Sequence, residues 1–333
     1  MSAAGPGHLT LVMAPLRGIT DSVFRTAFAR HFGGFDWALA PFVTSVKGAR
    51  VALSHIADLQ PERNQLLRVV PQVLSNDPGE LLAIVNAFAD MGYAEVNWNL
   101  GCPFVKITRK HRGSGLLPHP DRVVAILDHV LPSARAAVSI KTRLGLEDPG
   151  DLARLLPRFA PYPLASVTIH PRTADQMYDG QLRMDRFAEC LTLTSHPVLY
   201  SGDITTVDTF RNLAQRFEGK VSGWMIGRGA VRDPFLPGAI RGDAPPDAAT
   251  RCARVRALHE ELFERCQELM PGPAALLARM KELWGLLADA VPNGRHRLGA
   301  IQRCQSVGSY RRLTDEALSG CEVPRSAQSK PTA

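Results

Sequence analysis

Ala94-Glu95-Val96-Asn97-Trp98-Asn99-Leu100-Gly101-Cys102-Pro103 is an apolar run that breaks on a glycine, a cysteine and a proline. The stretch Ala94–Asn99 reads as a strand of a parallel α/β protein, and the Gly101 and Pro103 that follow stop it. Working outward, similar runs occur at Leu9–Ala14, Trp37–Pro41, Leu66–Val73, Ala137–Thr142, Ala165–His170, Pro197–Tyr200 and Val221–Ile226. Helix-like stretches lie between or after them at Asp21–Arg30, Pro78–Met91, Pro120–Leu131, Gly150–Phe159, Thr206–Phe217 and Asp233–Arg241. Eight such units in roughly 240 residues match a (β/α)8 TIM barrel. A doubly wound sheet is the rival. Nearly every run, however, ends in polar or glycine-rich residues: Pro15–Arg17, Gln72, Asn99–Cys102, Lys141–Arg143, His170, Ser201–Asp203 and Gly227–Gly229. A barrel gathers all of these ends on one face, whereas an open sheet gathers only some at its switch point.

The expected fold is therefore α/β: a TIM barrel followed by a small C-terminal helical domain. Residues 1–8 read as a flexible tail, 9–241 as the barrel, 242–250 as a linker with two adjacent prolines, 251–321 as the helical domain and 322–333 as a disordered tail. Arg251–Met270 and Ala274–Ala290 carry helical apolar spacing around the Pro271-Gly272-Pro273 break.

Lys and Arg number 39 against 32 Asp and Glu, a net +7 that favours a polyanionic partner without requiring one. Between Pro271 and Arg312, seven cations, including Arg279 and Lys281, face only Glu282 and Asp289. An RNA-backbone surface and a merely solvated helix face both account for that balance. The six cysteines lie far apart with no Cys-x-x-Cys pair, so neither a zinc cage nor a disulfide framework is expected, and the thiols read as reduced. Met1–Gly7 lacks a basic segment, and the apolar run Leu9–Leu16 is too short to span a bilayer. The expectation is a cytoplasmic, metal-free monomer with no membrane association.

Barrel loops seven and eight commonly hold a ligand's phosphate. Here they are Ser201-Gly202-Asp203 and Gly227-Arg228-Gly229. Their glycines let backbone N–H groups approach an anion, and Arg228 adds a charged donor, which makes FMN a candidate ligand. Gln72 and Lys141 close apolar strands, where a long polar side chain needs a partner. They suit the heteroatoms of a flavin ring, or hydrogen bonds within the barrel mouth. His170 sits on the same rim. Cys102 lies in a loop on the catalytic face, and a thiol that is mostly protonated at neutral pH can act as a general acid.

Taken in order, Met13-Ala14-Pro15-Leu16-Arg17-Gly18-Ile19-Thr20-Asp21, Pro71-Gln72-Val73, Asn97-Trp98-Asn99-Leu100-Gly101-Cys102-Pro103, Lys141-Thr142-Arg143-Leu144-Gly145, His170-Pro171-Arg172-Thr173, Gly202-Asp203-Ile204 and Met225-Ile226-Gly227-Arg228-Gly229 resemble the bacterial tRNA-dihydrouridine synthases across about residues 10 to 310. Arg279-Met280-Lys281 with Trp284 is similar to that family's RNA-binding end. The resemblance implies FMN held by Pro15, Leu16, Arg17, Gln72, Lys141, His170, Ser201, Gly202, Asp203, Gly227 and Arg228, with NADPH as reductant. It implies hydride transfer to uracil C6, a proton from Cys102 to C5, the base held by Asn99 and Arg143, and tRNA contacts at Arg279 and Lys281. Ser201 stands where the family usually has asparagine and Leu16 where methionine is common. The loop Lys106–Gly113 is more basic than the family pattern. A dihydroorotate or dihydropyrimidine dehydrogenase-like barrel leaves the basic C-terminal helices unexplained. An RNA-binding protein on a decayed barrel leaves Cys102, Lys141 and His170 unexplained.

Overall fold

A computed structural model describes residues 9–44 and 53–319. The expected tails, 1–8 and 322–333, lie outside the described residues. The strands are β1 (Leu11–Met13), β2 in two pieces (Trp37–Leu39 and Val43–Thr44), β3 in two pieces (Arg68–Val70 and Gln72–Leu74), β4 (Glu95–Leu100), β5 (Ala137–Gly145), β6 (Val167–Thr173), β7 (Val198–Ser201) and β8 (Gly223–Ile226). Every pairing is parallel and joins each strand to the next, and β8 returns to β1, so eight strands close a TIM barrel. The breaks in β2 and β3 fall next to Pro41 and at Pro71. Proline has no N–H for the ladder, yet the Pro71 carbonyl still accepts from Asn97 N at 2.8 Å. The run Leu66–Val73, read as a single strand, is thus one barrel stave in two pieces.

Alternation along the strands separates two cores. Leu11, Met13, Val96, Trp98, Val138, Ile140, Val167 and Ile169 pack against the surrounding helices. Val12, Ala14, Leu39, Val70, Leu199 and Met225 form a separate apolar plug inside the barrel. On the same inward phase, register pairs Gln72 with Asn97, Asn97 with Ser139, Asn99 with Lys141, and Arg143 with His170. The period of two therefore carries a polar layer up to the C-terminal mouth.

The helices are α1 (Ser22–His31), α2 (Leu53–Asp58), α3 (Pro78–Asp90), α4 (Val105–Thr108), α5 (Pro120–Val130), α6 (Asp151–Leu155), α7 (Met184–Thr192), α8 (Val207–Arg216), α9 (Arg228–Arg232), α10 (Leu236–Ile240), α11 (Ala248–Leu269), α12 (Pro273–Leu287), α13 (Gly294–Arg303) and α14 (Val307–Ser319). Side-chain caps fix several starts: Asp21 accepts from Phe24 N, Asp77 from Glu80 N and Thr206 from Thr209 N. α11 begins inside the expected 242–250 linker, because Asp247 caps it by accepting from Thr250 N at 2.9 Å.

The last four helices form the expected C-terminal helical region and pack on the barrel through α11 against α1 and α12 against α9. Arg254 stacks over Phe32 and Phe235, and His31 meets Glu261 at 2.8 Å. Within these helices His259 is buried against Trp284 and hydrogen-bonds Tyr310 Oη at 2.8 Å. Burial, with Arg311 and Arg256 nearby, pushes its pKa down to about 3, so it is a neutral core histidine. Cys102, Cys190, Cys266 and Cys304 are free and buried. Cys252 is disulfide-bonded, which corrects the expectation of reduced thiols throughout; the absence of a Cys-x-x-Cys spacing says nothing about a pairing made by the fold. Among the described residues, no helix is long and apolar enough to cross a membrane.

Candidate active site

A cavity of about 500 Å³ opens at the C-terminal mouth of the barrel. Its volume lies within the range typical of small-molecule sites. All fourteen residues expected there line it: Pro15, Leu16, Arg17, Gln72, Asn99, Cys102, Lys141, Arg143, His170, Ser201, Gly202, Asp203, Gly227 and Arg228. The barrel closes, so strand ends as far apart in sequence as Pro15 and Arg228 become neighbours.

Asn99 organises the loop that carries the thiol. Its Oδ1 accepts from Gly101 N at 3.0 Å and Cys102 N at 2.9 Å, and its Nδ2 donates to Gln72 Oε1 at 2.8 Å. Gln72 Nε2 donates to Asn97 Oδ1 at 2.8 Å, and Asn97 Nδ2 donates to Ser139 Oγ at 2.9 Å. The two cavity-lining amides, Gln72 and Asn99, each keep one N–H beyond these bonds. Arg143 braces the same loop, donating Nε to Gly101 O at 3.1 Å and Nη1 to Thr173 O at 2.8 Å. Gly113, at φ +57°, lies so close that a side chain there would press on Cys102.

Cys102 is 5% exposed. Burial raises its thiol pKa, against the lowering effects of the Phe104 N–H and the charges of Arg143, Arg17 and Lys141. The group is therefore a thiol, not a thiolate, at neutral pH and has a proton to give. Burial, then the charge of Arg143, pushes the Lys141 ammonium down to about 8. Burial pushes Arg143 down to about 10. His170 is held well below its ordinary value by burial and by the surrounding cations, so its ring is neutral. Its Nε2 lies 3.2 Å from Arg172 Nη1; a guanidinium can only donate, so Nε2 accepts and the ring proton sits on Nδ1.

Asp203 contacts Arg172 at 3.1 and 2.5 Å and Arg228 at 3.0 Å. Burial opposes its charge, but these arginines hold the carboxyl below its ordinary value. Asp203 thus fixes Arg228 at the glycine turn. Gly229 has a close backbone neighbour, since a Cβ there would collide with the Ile204 carbonyl oxygen.

Two features went unread in the sequence. Arg172, buried beneath the rim, also grips Gly180 O at 3.0 and 2.7 Å. Tyr178 lies between two guanidinium groups, Arg143 and Arg228, each 5.3 Å from its ring centroid, and is 41% exposed at the cavity rim. Neither has a local sequence signal beyond the His170–Thr173 motif and the turn ending at Gly180.

Arg279 and Lys281 do not line the cavity. Arg279 is 8% exposed, donating Nη2 to Ile19 O at 2.7 Å and pairing with Asp21 at 3.2 Å, so it joins α12 to the loop after β1. Lys281 donates to Cys304 O. Arg295 pairs with Asp289, Arg297 and Arg312 pair with Glu316, and Arg311 covers the Phe263 ring. The basic balance of the C-terminal sequence is largely neutralised or packed within the fold.

The sequence model of the family described as Dihydrouridine synthase (Dus) matches residues 12–286. A tRNA-dihydrouridine synthase B of Yersinia pestis is 30% identical over 302 residues, covering 86% of this chain and 89% of that relative. A tRNA-dihydrouridine(16) synthase of Ralstonia nicotianae is 31% identical over 249 residues, 72% of this chain and 75% of that relative. Among solved structures, an old yellow enzyme homologue from Zymomonas mobilis superposes with a TM-score of 0.52 at 12% identity, covering 71% of this chain and 89% of that one, a likeness of fold.

Proposed function

As this chain belongs to the dihydrouridine synthase family, we propose that it reduces uridine in tRNA to 5,6-dihydrouridine, with FMN held in the barrel mouth and NADPH as reductant, in the cytoplasm. The observation that carries the reading is the cavity itself, which joins a protonated thiol, an unpartnered ammonium and two glycine turns. Lys141 has no hydrogen-bond or ion-pair partner among the described residues. A cation left in that state suits an anionic guest, and with Arg143 and Arg228 it outweighs Asp203 and the exposed Asp179 on the lining. These donors fit a phosphorylated flavin.

FMN, when bound and reduced, would supply the hydride for uracil C6. The protein's own groups do the rest. Gly202, Gly227 and Gly229 let the two turns pack closely at the mouth, where a Cβ would meet Tyr200, Ala14 or the Ile204 carbonyl, and Arg228, held by Asp203, would add charge for the phosphate. Toward a bound flavin, Lys141 would supply a positive charge and His170 a neutral Nδ1–H. The free N–H groups of Gln72 and Asn99 serve as further donors, while Asn99 keeps the thiol loop in place. Cys102 Sγ donates its proton to C5, and a second proton must reach the thiolate before the next turnover. Because the cavity lies inside a barrel mouth, the uridine must leave its stack to enter.

The test is direct: purified protein should be yellow, and NADPH with unmodified tRNA should yield dihydrouridine. Folded protein that stays colourless after reconstitution with FMN refutes the reading.

A further inference from the structure

Two residues beyond Cys102, the cavity rim changes character. Phe104 is 39% exposed and lines the cavity, and Val105 beside it is 57% exposed. A large aromatic left open to water at the edge of a polar site calls for a stacking partner. Phe104 stands two residues from Cys102 and both line the cavity, so whatever rests on this ring is placed relative to the thiol. Lys106, Arg109 and Lys110 follow on and just after α4, all exposed and without an acidic partner among the described residues. The cations of the C-terminal helices, by contrast, are mostly paired or packed.

The segment is also held in place. Asn76 Nδ2 donates to Lys110 O at 2.9 Å, Arg112 Nε donates to Asn76 Oδ1 at 3.0 Å, and Ser114 N donates to Cys102 O at 3.2 Å. A pre-organised rim of one aromatic and three free cations matches the stacking-plus-phosphate chemistry of single-stranded nucleic acid.

We propose that Phe104–Lys110 is the RNA-gripping edge of the cavity: the Phe104 ring stacks on the base next to the uridine that enters, and Lys106, Arg109 and Lys110 hold the phosphates of that strand. The assignment rests on the tRNA reading above and moves the principal backbone contacts from Arg279 and Lys281 to the catalytic face. It also gives the unstacked strand an aromatic surface that offsets part of the cost of removing the uridine from its stack.

Equilibrium binding of an unmodified tRNA transcript, measured across a salt series, tests this. Replacing Lys106, Arg109 and Lys110 together by Ala should lower the slope of log K against log salt by about 2, from roughly 0.7 per single-strand phosphate contact. F104A should weaken binding on the order of tenfold with the slope unchanged, and F104W should restore it, because base–aromatic stacking is tolerant of the ring used. FMN absorbance reports folding of each variant. If the triple variant loses it, the three single Ala variants, each expected to lower the slope by about 0.7, take its place. Wild-type affinity and slope in the charge variants, or wild-type affinity in F104A, overturns the proposal. Wild-type protein that binds tRNA but forms no dihydrouridine refutes the proposed reaction instead, and the same binding curves still decide the surface.

Discussion

Replacing Asn99 with Ala removes three hydrogen bonds at once: those from Gly101 N, from Cys102 N and to Gln72 Oε1. Gly101 is half-buried and its N–H can turn to water in the cavity, so that loss is about 1 kcal/mol. Cys102 and Gln72 are buried, at 5% and 1% exposure, and each is left with an unmet polar group at about 1 kcal/mol or slightly more. The sum is about 3 kcal/mol, which for a domain of this size lowers Tm by roughly 6–12 °C. Asn99→Asp gives a contrasting case. Aspartate still accepts both loop amides but cannot donate to Gln72. The chain can reverse, with Gln72 donating to the introduced carboxylate, Asn97 donating to Gln72 and the Ser139 hydroxyl donating to Asn97, because each of these amides and the hydroxyl can serve in either sense. Asn99→Asp should therefore unfold closer to wild type than Asn99→Ala, while its charge beside Cys102 raises the thiol pKa further and slows turnover. Differential scanning calorimetry of the three proteins decides it. A Tm for Asn99→Ala within about 2 °C of wild type refutes the assignment of Asn99 as the brace of the thiol loop.

Cys102→Ala should keep FMN and tRNA binding yet slow dihydrouridine formation by on the order of 100-fold or more, the usual contribution of a general acid; unchanged turnover removes its role. Because burial raises the thiol pKa, wild-type activity should persist through neutral pH and fall only as the solution rises above the ordinary thiol range, a limb that a pH–rate profile of the Cys102→Ala variant should lack. Lys141, pushed down to about 8 from 10.5, is neutral in the folded apoprotein between those values while the unfolded chain still binds the proton, so stability gains from rising pH. Lys141→Met apoprotein should accordingly be more stable than wild type below pH 8, with the gap closing toward pH 10.5, as followed by urea unfolding; a gap independent of pH contradicts the assigned burial. Gly229→Ala puts a Cβ onto the Ile204 carbonyl, a backbone atom that cannot rotate away, so FMN titration should show lost affinity and calorimetry a lowered Tm.

The parts of this site that could be read from the sequence were those whose signal is local. Gln72 and Lys141 stood out as long polar side chains closing apolar strands, and the barrel placed both on the cavity. The two-piece strands did not stand out, because the missing N–H of Pro71 interrupts a ladder without interrupting the apolar pattern around it. Asp203 shows a different limit. The glycine turn around it is a local signal, but the partners of its carboxylate, Arg172 31 residues away and Arg228 25 residues away, are not. Tyr178 becomes notable only once Arg143 and Arg228 are seen on either side of it.

Charge was the least legible property for the same reason. Counting residues in the C-terminal sequence gives an excess of cations, but the count omits partners from elsewhere in the chain: Arg279 finds Asp21 across 258 positions, and Arg311 finds an aromatic face instead of a carboxylate. A short polar stretch such as Lys106–Lys110 offers fewer charges to a count and keeps more of them free, because its helix is too brief for pairs four residues apart and its neighbours are backbone groups. The electrostatic footprint of a basic protein therefore follows from which cations the fold leaves unpaired, and here the exposed ones include Lys106, Arg109 and Lys110 just beyond the thiol loop.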